Sequence, residues 1–178
     1  MNWSIKEMAR IILIVAVLIG GALSGATAVW AQEKGRTWSR QIQGSWILVS
    51  FYNEQDGKKI ELFGSKPRGF MALTPDGRFS MILMKESLPK FAANNRLQGT
   101  DQENQAVVQG SVAYYGTYTV ASEKEHTVKL HMEGSTFPNW DGQDQKRVMV
   151  VKGDELWVTN PTPSTGSGVN YIVWKRAK

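Results

Sequence analysis

The stretch RGFMALTPDGRFSMILMK, residues 68–85, decides the fold class. It consists of two apolar runs with the composition of β-strands, which flank Pro75-Asp76-Gly77. Proline presets one dihedral angle of a tight turn and glycine accepts a positive φ angle, so the stretch predicts a β-hairpin. The chain is therefore expected to build its core mainly from paired strands.

Six further segments have the β-branched and aromatic composition that is typical of strands. Together with the hairpin they give eight predicted strands, at residues 44–52, 68–74, 78–85, 113–121, 126–134, 145–152, 155–160 and 169–177. Sequential strands joined by mostly short turns satisfy their edge hydrogen bonds best by closing on themselves. The prediction is an all-β fold, an eight-stranded up-and-down antiparallel β-barrel, which is either filled with side chains or holds one small ligand.

A long irregular insertion, residues 86–113, separates the third predicted strand from the fourth. Thr100 is a good N-cap candidate because acidic and helix-tolerant residues follow it. One short helix is expected in this insertion. It would act either as a lid or as a plug at one end of the barrel.

The composition is that of one globular domain, with 178 residues of which 42% are hydrophobic and 21% charged. The absence of cysteine excludes disulfides, thiol nucleophiles and thiolate zinc sites. The formal net charge is +5, but the basic residues are scattered along the chain and do not form a dense stripe. Nucleic acid is therefore not an expected partner.

The N-terminus has the three-part layout of a secretory signal peptide. Lys6 and Arg10 precede an apolar core, and small residues follow it, with candidate cleavage sites after Ala28 and Ala31. Residues 1–31 are thus predicted to be a signal peptide. The alternative is an uncleaved membrane-anchor helix, since residues 11–31 are long and apolar enough to span a bilayer.

Either outcome places the remaining chain beyond the inner membrane, so a periplasmic or secreted location is expected. Residues 32–43 lack sustained periodicity and are predicted to be a tether. Residues 44–178 are predicted to form the barrel domain. A membrane contact is expected only through the N-terminal segment, if that segment is not cleaved.

Four residues resemble the barrel-closing arrangement of lipocalins. Gly44 and Trp46 begin the first strand in a Gly-x-Trp pattern, and Trp174 and Arg176 lie in the last strand. In lipocalins such a tryptophan closes the barrel floor beneath a basic residue. A guanidinium over an indole also gains about 0.5 to 2 kcal/mol of cation–π energy.

Three longer segments, in order, resemble the lipocalin-like domain family of bacteria and fungi. They are FGSKPRGFMALTPDGRFSMILM (residues 63–84), AYYGTYTV (113–120) and HMEGSTFPNWDGQDQKR (131–147). The resemblance implies a barrel with an internal cavity and small-molecule binding. It implies no single reaction.

The strand that contains His131 has two different faces. Lys129, His131 and Glu133 share one face, because residues two apart on a strand point the same way. If this polar face lines the barrel, His131 is a candidate general acid or base that Glu133 could orient. If it faces outward, the three residues are a solvated stripe. No metal site is predicted, because His126 lies on the opposite face and a third ligand is missing.

The loop FPNW, residues 137–140, has two interpretations. As a portal, its Phe137 and Trp140 would contact an apolar ligand and Asn139 would fix a polar group. As a structural loop, Pro138 would rigidify it and the rings would pack on the barrel end.

The leading hypothesis is an exported lipocalin-like barrel that binds a small apolar or amphiphilic molecule, with no cofactor. Arg147 could meet an anionic head group, and methionines suit a flexible apolar pocket. One alternative is a cofactor-independent isomerase or cyclase that uses His131 with a tyrosine. Another is a filled barrel that acts as an interaction module of the cell envelope. The predicted ligand-binding residues are Tyr115, Tyr118, His131, Asn139, Trp140, Arg147 and Met149.

Overall fold

The protein is described from a computed structural model that covers residues 37–178. The predicted signal or anchor segment and the first part of the predicted tether lie outside the described residues. Within residues 37–178, no helix is long and apolar enough to cross a membrane.

The described chain contains nine strands, two α-helices and one 3-10 helix. The strands are β1 Gly44–Gln55, β2 Lys58–Ile60, β3 Arg68–Leu73, β4 Arg78–Met84, β5 Ser111–Ser122, β6 Thr127–Ser135, β7 Asp144–Lys152, β8 Glu155–Asn160 and β9 Val169–Arg176. The helices are α1 Trp38–Gln41 and α2 Asp101–Gly110, and the 3-10 helix is Pro138–Trp140.

The long strands form a closed barrel. Consecutive strands from β3 to β9 pair antiparallel, β1 pairs with β3, and β1 also pairs with β9. The predicted eight-stranded antiparallel barrel is therefore confirmed. Strand β2 is a short addition that pairs only with the end of β1, and the sequence did not predict it.

The barrel interior is built by strand alternation. In β6, Val128, Leu130 and Met132 are fully buried while the intervening residues are exposed. Met71, Met81 and Met149 are buried in the same core, as expected for flexible side chains that fill an irregular interior. The part of the barrel near the start of β1, here called the closed end, is filled by these side chains.

Arg176 and Trp46 contact each other at the closed end. The guanidinium carbon of Arg176 lies 4.1 Å from the centre of the Trp46 ring. Its two terminal nitrogens donate hydrogen bonds to the carbonyls of Gln41, at 2.7 Å, and Gln43, at 2.9 Å. Gly44 has φ +124°, and an added Cβ there would lie 3.0 Å from a guanidinium nitrogen of Arg176. Trp174 is fully buried in the core.

The segment immediately before β1 packs onto the barrel. Trp38 and Ile42 are buried, and the Trp38 indole donates a hydrogen bond of 2.8 Å to the carbonyl of Met149. The sequence predicts a tether at residues 32–43, which includes this segment. The structure instead places a helical turn, α1, because two large apolar side chains are enough to dock such a short piece.

The predicted helix of the insertion is α2. Thr100 is its N-cap, and Thr100 and Glu103 form a reciprocal capping box. The helix lies outside the lumen, and only Gly110 among its residues is buried. It therefore does not plug the barrel, and it contributes Val108 and Gln109 to the rim of the opposite end, here called the open end.

Candidate ligand-binding pocket

A pocket of about 310 Å³ lies at the open end of the barrel. Its walls come from the upper halves of the strands, from the β2–β3 connection, from the end of α2, and from the β6–β7 and β8–β9 loops. Five aromatic residues line it, namely Phe51, Phe63, Tyr114, Phe137 and Trp140. The lining is therefore mainly apolar, as in most small-molecule sites.

The aromatic rings support one another in edge-to-face pairs. The Trp140 ring contacts Tyr114, with ring centroids 5.1 Å apart, and Phe137, with centroids 5.5 Å apart. The 3-10 helix sets this arrangement, because the Trp140 amide donates to the Phe137 carbonyl at 3.0 Å. On the other wall Phe51 and Phe63 are 4.8 Å apart. Such pairs hold each ring in one orientation and so preform the apolar surface.

Two buried amides supply polar groups on one wall. Asn160 in β8 and Asn170 in β9 are register partners, and both line the pocket. They are 3% and 5% exposed. Asn53 in β1 pairs with Asn170 and donates to its side-chain oxygen at 2.9 Å. Three adjacent strands thus place a row of amides at the same height.

A buried arginine lies inside the barrel beside the pocket wall. Arg147 is 1% exposed and donates hydrogen bonds to the Lys146 carbonyl, at 2.8 Å, and to the Gln145 side chain. Within the described residues it forms no ion pair with a carboxylate. Burial lowers the pKa of Arg147, and the neighbouring Tyr114 hydroxyl partly opposes this shift. Burial raises the pKa of the Tyr114 phenol, and the neighbouring Arg147 guanidinium partly opposes this shift.

The predicted ligand residues separate into three groups. Trp140 lines the pocket. Tyr118, Arg147 and Met149 lie buried in the barrel but are not part of the pocket wall. Tyr115, His131 and Asn139 are exposed and lie outside the lumen.

His131 lies on the outer face of β6, and this corrects the prediction of a pocket histidine. Its imidazole Nδ1 is 2.8 Å from a carboxylate oxygen of Asp144, and Lys129 donates to the same carboxylate at 3.0 Å. These two interactions, that of Lys129 first, hold the pKa of Asp144 below its ordinary value. The apolar face of β6 packs in the lumen, so the polar face, which includes His131, is exposed to solvent. An isomerase or cyclase that uses His131 inside the barrel is not compatible with this geometry.

The sequence predicts Tyr115 and Tyr118 as pocket residues, but neither lines the pocket. Tyr115 is 51% exposed, because the inward positions of β5 are occupied by Tyr114, Gly116 and Tyr118. Tyr118 faces inward near the closed end, where its hydroxyl donates to the Thr74 carbonyl at 2.8 Å. The tyrosine that reaches the pocket is Tyr114.

Sequence reasoning missed most of the pocket wall. Leu83 lies at an inward position of a predicted strand, so alternation indicates it. Phe51 faces inward only because β1 shifts register between Leu48 and Ser50, which alternation does not predict. Asn160 and Asn170 gave no local signal, since their pairing depends on the register of β8 and β9. Leu62 and Phe63 come from a connection that has no strand pattern.

A model of the lipocalin-like domain family matches residues 43–177 of the chain. The chain belongs to the lipocalin-like domain family. The match covers the whole barrel together with its open and closed ends. A lipocalin-like barrel with a pocket at one end is an architecture for binding small ligands in general.

One curated relative is a 4'-hydroxy-3'-methoxypropiophenone carrier protein, ppsC, from Aspergillus oryzae. It is 31% identical over 105 residues, which cover 54% of this chain and 95% of the relative.

Two solved structures are similar in fold. One is a lipocalin-like protein from Bacteroides uniformis, with a TM-score of 0.42 and 12% identity over 76% of this chain and 98% of that chain. The other is a mutant of the fluorescent protein UnaG, with a TM-score of 0.36 and 12% identity over 78% of this chain and 98% of that chain. Likeness at this level carries no information about a ligand.

Proposed function

We propose that this lipocalin-like protein is a binding or carrier protein for a small, largely aromatic molecule, which it holds in the open-end pocket. The observation that carries the proposal is the ring-lined wall formed by Tyr114, Phe137 and Trp140, with amides on the facing strands. Aromatic rings bind best against preformed aromatic edges and faces. A few polar groups in an apolar pocket then fix the orientation of the ligand.

The size of the pocket favours a compact ligand. Its volume of about 310 Å³ lies at the lower end of the ~300 to 1,000 Å³ that is usual for ligand pockets. Met81, Met132 and Arg147 are buried in the barrel interior, so the proposal favours a compact ligand over a long acyl chain. The carrier activity named for the relative, whose compound is a substituted phenyl ketone, supports the same ligand class.

The proposal includes export of the protein. The basic, apolar and small-residue pattern of residues 1–31 supports it. The test is the intact mass of protein recovered from fractionated cells. Periplasmic or secreted protein that begins after Ala28 or Ala31 would support export, and full-length protein in the cytoplasmic fraction would contradict it.

The binding proposal is tested by titration with phenyl ketones, phenols and, for comparison, a long-chain fatty acid. Binding is measured by tryptophan fluorescence and by thermal unfolding, since a ligand at 100 times its Kd adds about 2.7 kcal/mol to the free energy of unfolding. A pocket-filling variant, Val112→Phe, is expected to lose most of the affinity. The matched control Val120→Phe, on the same strand, is exposed at the other end and is expected to retain it.

If none of the aromatic compounds shifts either signal, the proposed function is wrong. The proposed function is also wrong if the fatty acid binds and none of the aromatic compounds displaces it. Equal loss of affinity in Val112→Phe and Val120→Phe would show that the binding site is not the open-end pocket.

A further inference from the structure

The hydrogen bonds of the amide row determine which atom of each amide faces the pocket. The Ser167 carbonyl can only accept, and the Asn53 side chain contacts it at 3.1 Å, so that atom of Asn53 is the nitrogen. The same nitrogen lies 2.9 Å from a side-chain atom of Asn170, which must therefore be the oxygen. The NH₂ group of Asn170 is therefore the end of this amide that is left to face the pocket.

The orientation of Asn160 follows from a second backbone group. The amide N–H of Thr162 can only donate, and it lies 3.0 Å from the side-chain atom of Asn160 that accepts it, which is the oxygen. The NH₂ group of Asn160 is therefore the end of its side-chain amide that is left to face the pocket. Within residues 37–178 neither of these NH₂ groups donates a hydrogen bond, and neither is fully enclosed by protein.

We propose that the pocket recognises an acceptor oxygen of its ligand, such as the carbonyl oxygen of an aromatic ketone or aldehyde, through the NH₂ groups of Asn160 and Asn170. The inference rests on the proposed function and specifies its ligand class. The two residues are register partners on adjacent strands, so both donors approach one region of the pocket. A carbonyl oxygen has two lone pairs and accepts from both.

The same geometry gives selectivity against hydrocarbons of equal shape. A ligand without an acceptor covers the two donors and leaves them without a partner, which costs more than the hydrogen bonds themselves contribute. Sites that hydrogen-bond a polar group of the ligand discriminate strongly against analogues that lack it. The pocket is thus expected to prefer a ketone over its CH₂ analogue by about tenfold or more.

The test uses propiophenone and propylbenzene, which differ only in the carbonyl oxygen, with the full-length protein. Two variants, Asn160→Asp and Asn170→Asp, keep the accepting oxygen for Thr162 or Asn53 and replace the donor with an acceptor. Asn139→Asp introduces the same change at an exposed position of the rim loop and is the control. The measured quantity is the ratio of the two dissociation constants in each protein, which cancels any general loss of pocket stability.

The expected result is a ratio of about ten or more in the wild-type protein and in Asn139→Asp, falling toward one in the two pocket variants. If both compounds bind the wild-type protein equally well, donor recognition is wrong and the proposed function stands. If neither compound binds but a phenol of the panel does, donor recognition of a ketone is wrong and the proposed function stands; if no aromatic compound of the panel binds, the proposed function itself is wrong. A ratio that stays at about ten in both pocket variants would assign the donor to another residue and so overturn the inference. If a variant does not fold, equal binding of the two compounds to the wild-type protein still overturns it.

Discussion

The guanidinium of Arg176 covers the Trp46 indole and at the same time binds the carbonyls of Gln41 and Gln43. One side chain of the last strand therefore fixes the chain that leads into the first strand. Trp46 and Arg176 are also register partners in the pairing that closes the barrel. The closure of the sheet and the packing of the segment before β1 are thus coupled through a single planar cation.

Arg176→Lys is expected to lower the free energy of unfolding by about 1 to 3 kcal/mol, because lysine keeps the charge but loses the planar fork that donates to two carbonyls. Urea denaturation monitored by tryptophan fluorescence measures the change. Lys175→Ala, on the exposed outer face of the same strand, is the control and is expected to change stability by no more than ~0.5 kcal/mol. Equal effects of the two substitutions would contradict a special role for Arg176.

Gly168→Ala is expected to destabilise the open end. Gly168 has φ +79°, and a Cβ there would lie 2.5 Å from the Glu54 carbonyl oxygen and 2.6 Å from the Asn53 side chain. The loss should exceed the ~1 to 2 kcal/mol of the left-handed conformation alone. Gly166→Ala isolates that conformational term, because Gly166 has φ +86° and nothing lies within 4 Å of its added Cβ. Similar unfolding midpoints for the two variants would argue against close packing at Gly168.

The buried Tyr114 is expected to make the free energy of unfolding fall at alkaline pH. Burial raises the pKa of its phenol above 10.0, so the folded state keeps the proton after the unfolded chain has released it. The free energy of unfolding is therefore fully retained below pH about 10 and falls above it by up to ~1.4 kcal/mol per pH unit. Tyr114→Phe should make this slope shallower. The slope that remains includes Tyr118, whose pKa is raised for the same reason.

Unfolding measurements at a series of pH values from about 9 to 11 test this expectation. The control is Tyr115→Phe, since Tyr115 is exposed on the same strand. An alkaline slope that is the same in Tyr114→Phe as in the wild-type protein would mean that the phenol ionises freely in the folded state.

His131→Gln is expected to leave ligand affinity within about twofold of the wild-type value, because surface substitutions of this kind change free energies by ~0.5 kcal/mol or less. Its partner Asp144 is also outside the barrel, so the pair does not reach the pocket. Titration with the ligand identified by the panel measures the effect. A loss of tenfold or more would place His131 in a binding site that this geometry does not contain.

The strands and the barrel could be predicted from the sequence because each depends on local chemistry. The Pro75-Asp76-Gly77 turn occurs as expected between β3 and β4, and Thr100 caps α2. Closure follows from the number of strands and their short connections. The packing of Trp38 depends on a partner in β7 that is distant in sequence, so no local pattern indicated it.

The pocket was harder to predict because its wall depends on which residues face inward and on the register between strands. The pairing of β1 with β9 shifts register between Leu48 and Ser50, so the inward residues change from Trp46 and Leu48 to Phe51 and Asn53, and alternation alone gives the wrong face beyond this point. For β6 the signal was sufficient, since Val128, Leu130 and Met132 form the more apolar face and occupy the lumen. The amides of β1, β8 and β9 meet only after the barrel closes.

The pocket wall between β1 and β3 is made by a connection rather than by a hydrogen-bonded ladder. Strand β1 pairs with β3 only through residues 44–47, and further along it pairs with β2 on that side. Leu62 and Phe63, which follow β2, line the pocket at this position. The same two residues also line a second, shallower depression. A loop can change in length and composition without breaking strand pairing. Changes in the connection between β2 and β3 are therefore expected to reshape this part of the pocket while the strand pairing of the barrel stays unchanged.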